Sequence, residues 1–98
     1  MSKLEFSPLA NADLHELLDF IALDKPLAAV SFVRRIRETC ELLSANPMMG
    51  ELRSDLGIPA VRSFSVGKYV ILFRPTVGGI EVARVVNGFR DVRQLTIG

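Results

Sequence analysis

The sequence predicts an α+β fold in which an N-terminal helical hairpin packs on a small antiparallel sheet. Two stretches in the first half carry apolar residues at helical spacing, and each begins beside a proline. The second half holds three short apolar runs, and Gly-Lys, Gly-Gly and Asn-Gly pairs mark turns between and after them. These observations indicate a single domain over residues 1–98 with the element order β-α-α-β-β-β.

The first elements are a short strand at residues 4–6 and a helix that begins after it. Ser7 is a suitable N-cap, and Pro8 fits the first helical position because its missing N–H would be unpaired there anyway. The helix has one apolar face, formed by Leu14, Leu17, Leu18 and Ile21. Its other side therefore faces solvent.

The charged residues of this helix are expected on the solvent side. Asp13, Glu16 and Asp19 lie away from the apolar face, and His15 lies at its edge as a surface residue. His15 is the only histidine, so we expect no metal site.

The second helix begins at Pro26 and ends at Asn46, which precedes another proline. Its apolar face is formed by Ala29, Phe32, Val33, Ile36, Cys40 and Leu43. The short connection predicts an antiparallel pair of helices. Cys40 is the only cysteine, so an intramolecular disulfide is excluded; we expect a buried thiol and a cytoplasmic protein.

The strands follow an irregular connection at residues 46–60. They are predicted at 61–66, 69–74 and 80–86, with turns at 67–68, 75–79 and 87–88, and residues 91–95 could add one helical turn in the tail. The run from Tyr69 to Phe73 is apolar on both alternating faces, whereas a strand buried on one face should alternate with polar residues. Such a strand is either central and covered on both sides, or exposed on one side until a partner arrives. Because the two helices can cover only one face of so small a sheet, we favour a partner.

Composition supports a binding role. Hydrophobic residues make up 49% of the chain and the mean hydropathy is +0.31, yet no apolar run approaches the roughly 18 residues of a membrane span. The first residues lack the apolar core of a signal peptide. The net charge of +1 is far below that of most nucleic-acid binders, so we expect no direct DNA binding by this chain alone.

Arginines are the remaining candidates for function, because the chain has no phosphate-binding glycine loop and no cluster of catalytic side chains. The predicted residues for contact with a target or another partner are Arg62, Arg74, Arg84, Asn87, Arg90 and Asp91. Nearby acids such as Glu81 could instead pair with these arginines and leave them a structural role.

The chain resembles the RelE/ParE superfamily of toxins from bacterial type II toxin–antitoxin modules, in particular the ParE branch. The resemblance rests on residues 6–10 with Asp13-Leu14, on 26–29 with Phe32 and Ile36, and on 46–50, 69–74 and 83–91. It implies a toxin neutralised by a ParD-like antitoxin and acting on DNA gyrase by protein–protein contact, with no catalytic residue, metal or cofactor.

Two alternatives stay open. A RelE-like ribosome-dependent endoribonuclease would need a base, an acid and cations around the scissile phosphate. The tail lacks Tyr, His and Lys, and Asn87 stands where many relatives have a histidine, so the resemblance favours a gyrase inhibitor over an enzyme. The other alternative is a non-toxic relic that only binds the antitoxin.

Overall fold

The computed structural model describes residues 2–88 and contains two helices and five strands within that range. In chain order the elements are β1 (Lys3–Phe6), α1 (Pro8–Ala22), α2 (Pro26–Ala45), β2 (Glu51–Leu52), a 3-10 turn (Ser54–Leu56), β3 (Arg62–Val66), β4 (Tyr69–Thr76) and β5 (Gly79–Asn87). The predicted order is confirmed, with β2 as an addition. The predicted turn at residues 91–95 lies outside the described residues. Neither helix is long and apolar enough to cross a membrane.

The strands form one sheet in the order β1-β5-β4-β3-β2. Pairing is antiparallel except between β1 and β5, which run parallel, so the sheet is mixed and not wholly antiparallel. β1 and β5 can pair in parallel because the helical hairpin and strands β2 to β4 form a long crossover connection between them. At Gly79 a Cβ atom would overlap the backbone of Lys3, so only glycine allows this close approach.

Two strand boundaries differ from the prediction. β4 continues through Pro75 to Thr76, which shortens the predicted turn. Because β3 pairs with β4 only as far as Phe73, Pro75 lies where β4 has one neighbouring strand and a missing N–H is tolerated. Within the connection predicted to be irregular, β2 pairs with Arg62 and Ser63 of β3.

The helices lie on one face of the sheet and enclose the main core. Its buried members are Ala10, Leu14, Leu17, Ile36, Cys40, Leu43, Val66, Ile71, Phe73, Ile80, Val82 and Val85. Cys40 is fully buried as expected, and burial raises the pKa of its thiol to about 12. His15 is exposed, also as expected.

The centre of β4 is buried on both faces by the chain itself. Ile71, Leu72 and Phe73 are each 0% exposed. Of the two alternatives, a strand covered on both sides is therefore confirmed for these residues. The favoured one, a second apolar face that awaits a partner, is wrong there, because intramolecular packing already removes these side chains from water.

Ser7 fastens the start of α1 to the last strand. Its hydroxyl accepts a hydrogen bond from the N–H of Ala10 at 3.0 Å, which confirms the predicted N-cap. The same hydroxyl donates to the carbonyl of Ala83 in β5 at 2.7 Å. One side chain thus sets both the beginning of the helix and its position beside the sheet.

Candidate functional site

An ion pair between α1 and β5 is the most buried charged feature of the described residues. The Arg84 guanidinium donates from Nε to Asp13 Oδ2 at 2.7 Å and from Nη2 to Asp13 Oδ1 at 2.9 Å. The two side chains are 11% and 9% exposed, respectively. The hydrogen bond to Asp13 raises the pKa of Arg84 above its ordinary value, so this cation keeps its charge at every physiological pH.

Asp13 also completes the hydrogen bonding of β5. The strand β1 ends at Phe6, opposite Val82, so β5 has no strand neighbour on that edge beyond this point. The N–H of Val85 donates instead to Asp13 Oδ2 at 3.0 Å. The Asp13 carboxylate thus accepts three hydrogen bonds, and one of them satisfies the Val85 N–H, which would otherwise be buried without a partner.

The burial of Asp13 corrects the sequence-based expectation that it faces solvent. Asp13 directly precedes Leu14 and so lies at the border of the apolar face, where α1 passes the open edge of β5. One signal was available in the sequence. An arginine within the apolar run of β5 calls for an acid nearby.

Arg74 and Glu81 form a second ion pair, at directly opposed positions of β4 and β5. Arg74 Nε lies 3.0 Å from Glu81 Oε1, and the side chains are 31% and 30% exposed. Glu81 was the acid expected to pair with an arginine, and this pairing is confirmed. Arg74 is thus more accessible to a partner protein than Arg84 is.

Arg62 holds the connection between α2 and the sheet. Its Nη1 donates to the carbonyl of Gly50 at 2.7 Å and lies 3.4 Å from that of Met48. A further arginine, Arg53, was not among the candidates. It forms two hydrogen bonds to Asp55, at 2.9 and 2.8 Å, and these raise its pKa.

Within residues 2–88, the candidate arginines do not form one cationic cluster. Arg62, Arg74 and Arg84 come from neighbouring rows of adjacent strands, but each contacts a different part of the chain. Arg90 and Asp91 lie outside the described residues. Each described candidate arginine instead stabilises a different part of the fold. Arg62 contacts the α2–β3 connection, Arg74 links β4 to β5, and Arg84 links β5 to α1.

An open groove of about 500 Å³ lies between α1 and the end of β5. We call it the α1–β5 groove, and it is lined by Asp13, Glu16, Leu17, Phe20, Tyr69, Val85, Val86 and Asn87. Asn87 is the candidate residue that the structure places here. The Tyr69 ring is supported from α2 by Phe32, with ring centroids 5.6 Å apart.

The groove has acidic and apolar walls. Asp13 and Glu16 supply carboxylates, Leu17 and Val85 form the floor, and Phe20 stands at the rim with 67% of its surface exposed. Among the described residues that line it, no side chain is cationic. Such a lining suits a protein segment better than a phosphate group. The described residues also contain no group of His, Cys, Asp and Glu that could hold a metal ion.

Comparisons with known proteins agree with the observed fold and also indicate a family. Residues 4–92 match the family model described as the ParE toxin of the type II toxin–antitoxin system parDE. Among solved structures, the chain is similar to one in the chromosomal ParDE TA system from P. aeruginosa, with a TM-score of 0.74 and 26% identity, covering 89% of this chain and 96% of that chain. No curated protein matches. Since the family model covers most of its length, the chain belongs to the ParE toxin family.

Proposed function

We propose that this ParE-family toxin inhibits DNA gyrase by protein–protein contact and is neutralised by a cognate ParD-like antitoxin in the cytoplasm. The observation that carries the proposal is the family match over residues 4–92, and the similar fold of the chain from the ParDE system supports it. The groove lining is also consistent with protein contact, since it combines apolar surface with carboxylates.

Two of the proposed contacts, Arg74 and Asn87, are side chains that remain accessible after folding. Arg74 is about one third exposed beside Glu81, and Asn87 lies at the end of β5 in the α1–β5 groove. Arg62 and Arg84 complete the candidate set, although each also holds the fold together. Arg90 and Asp91 are candidates from the sequence alone. Inhibition by these residues requires no bond to be made or broken by the toxin.

The test is a gyrase supercoiling and DNA-cleavage assay with purified protein, run beside an RNA-cleavage assay on translating ribosomes. The proposal predicts accumulated gyrase–DNA cleavage complex and intact message. Cut message with normal gyrase activity would contradict it and support the RelE-like endoribonuclease. Unimpaired growth on induction without antitoxin, with both assays negative, would support the non-toxic relic.

A matched pair of variants tests the contact surface in the same assays. Arg74→Ala removes an accessible cation from the sheet, whereas Arg34→Ala removes an exposed cation from α2. We expect Arg74→Ala to weaken gyrase inhibition or antitoxin binding and Arg34→Ala to leave both unchanged. Equal behaviour of the two variants would contradict the assignment of the sheet arginines.

A further inference from the structure

We propose that the α1–β5 groove binds a segment of the antitoxin that combines apolar side chains with a lysine or arginine. This inference rests on the proposed function, since it names the chemistry of the antitoxin segment that this surface accepts.

The first argument is the charge of α1. The helix carries Asp13, Glu16 and Asp19 and contains no lysine or arginine. Asp13 is neutralised by Arg84, but Glu16 is exposed and lines the groove. The carboxylate of Glu16 is close enough to contribute to the raised pKa of Arg84, although Asp13 is the main cause. After internal pairing, the groove keeps a negative charge at its wall.

The second argument is the accessible apolar surface beside that charge. Leu17 and Val85 are almost fully buried at the base, while Phe20 is 67% and Leu23 is 87% exposed. Exposed side chains of this size, next to a formed depression, are typical of binding surfaces. Because Phe32 packs against the Tyr69 ring, this wall of the groove is supported from within the fold before any partner arrives.

The third argument is the size of the groove and the sign of its charge. A depression of about 500 Å³ admits a few side chains of a peptide segment and not a folded domain. An acidic segment would meet Glu16 at close range, and like charges at an interface are unfavourable. A cationic side chain would pair with Glu16 while its apolar neighbours cover Phe20 and Leu17, so the segment must combine both kinds of residue.

The experiment is a titration of purified toxin variants with the cognate antitoxin by calorimetry. We expect Glu16→Gln to weaken binding about two- to fivefold, as for an exposed ion pair. Glu16→Lys should weaken binding by about tenfold or more because it adds repulsion, and Phe20→Ala by about tenfold because it removes an apolar contact. Glu38→Lys, the same change at an exposed position of α2, is the control and should bind normally.

A charge reversal tests the pairing directly. In the antitoxin, replacing the basic residue that meets Glu16 by Glu should restore binding to the Glu16→Lys toxin while weakening binding to the unchanged toxin. Circular dichroism establishes that each toxin variant is folded, which separates a lost contact from a lost fold.

The outcomes distinguish this inference from the proposed function. If the unchanged toxin does not bind the antitoxin, the proposed neutralisation is wrong. If it binds but the Glu16 and Phe20 variants bind equally well, or if Glu16→Lys binds more tightly, the groove inference is wrong while neutralisation stands. Self-association of the free toxin that Phe20→Ala abolishes would make a second copy the occupant and would also overturn the inference.

Discussion

Replacing Asp13 by alanine is expected to destabilise the fold strongly, although an aspartate on a helix is usually exposed and tolerant of substitution. The substitution removes both hydrogen bonds of the Arg84 guanidinium to Asp13 and the acceptor of the Val85 N–H. Arg84 is only 11% exposed, so water cannot readily replace the lost carboxylate.

The magnitude follows from what remains buried. Removing one partner of a buried ion pair costs about 3–5 kcal/mol. A domain of this size has a total free energy of unfolding of roughly 5–15 kcal/mol. Each 1 kcal/mol lowers the melting temperature of a small domain by about 4–8 °C, so a loss near the lower limit corresponds to about 12–24 °C. Chemical denaturation and calorimetry of Asp13→Ala measure both quantities.

The control is the ion pair between Arg74 and Glu81, whose side chains are about one third exposed. Glu81→Ala should cost about 1 kcal/mol or less, as exposed pairs do. Combining Asp13→Ala with Arg84→Ala should destabilise by less than the sum of the single changes, by about 0.5–3 kcal/mol, because both single changes break the same ion pair. If Asp13→Ala cost no more than Glu81→Ala, or if the changes were additive, the structural role of the buried pair would be refuted.

Three further predictions concern other parts of the fold. Ser7→Ala should lower the free energy of unfolding by about 1–2 kcal/mol through loss of the helix cap and of the bond to β5, whereas the exposed Ser31→Ala should be neutral in the same denaturation experiment. Gly79→Ala should lower the free energy of unfolding by about 2 kcal/mol or more, because the added Cβ overlaps the backbone of β1. Val77→Ala, at a 97% exposed site, is the control and should change it by less than about 0.5 kcal/mol. Equal losses of stability in the two variants would contradict this account. The Cys40 thiol, with its pKa raised from 9.0 to about 12, should resist a thiol reagent until the protein is denatured, and rapid labelling of the native protein would contradict this expectation. The free energy of unfolding should also fall as pH rises above 9.0, because only the unfolded chain then loses the thiol proton.

The sequence was sufficient for the helices and for the order of the elements. Proline starts, the Ser7 cap and helical spacing are local signals, and each lies within a few residues of the element it defines. The parallel pairing of β1 with β5 was missed because it joins residues more than 70 positions apart, and no local pattern states which edge a short strand occupies.

The candidate site was predicted only in part. Glu81 was named as a possible partner of the arginines, but its pairing with Arg74 follows from the register of β4 and β5, which the structure shows. Asp13 was assigned to the solvent because helical spacing locates a residue relative to the apolar face but does not reveal what lies at the border of that face. The α1–β5 groove depends on where β1 stops, which only the three-dimensional arrangement shows.

The parallel contact between β1 and β5 has a consequence for when the protein becomes functional during synthesis. The hydrogen bond that Ser7 donates to Ala83 spans 76 positions, and the one that the Val85 N–H donates to Asp13 spans 72, so the anchors of the N-terminal segment are made last. Until β5 has left the ribosome, the helical hairpin lacks the strand against which α1 packs, and one wall of the groove does not exist. Closing such long loops is entropically costly and slow. A nascent chain halted before β5 would therefore lack the finished α1–β5 groove and could not make the contacts proposed for it.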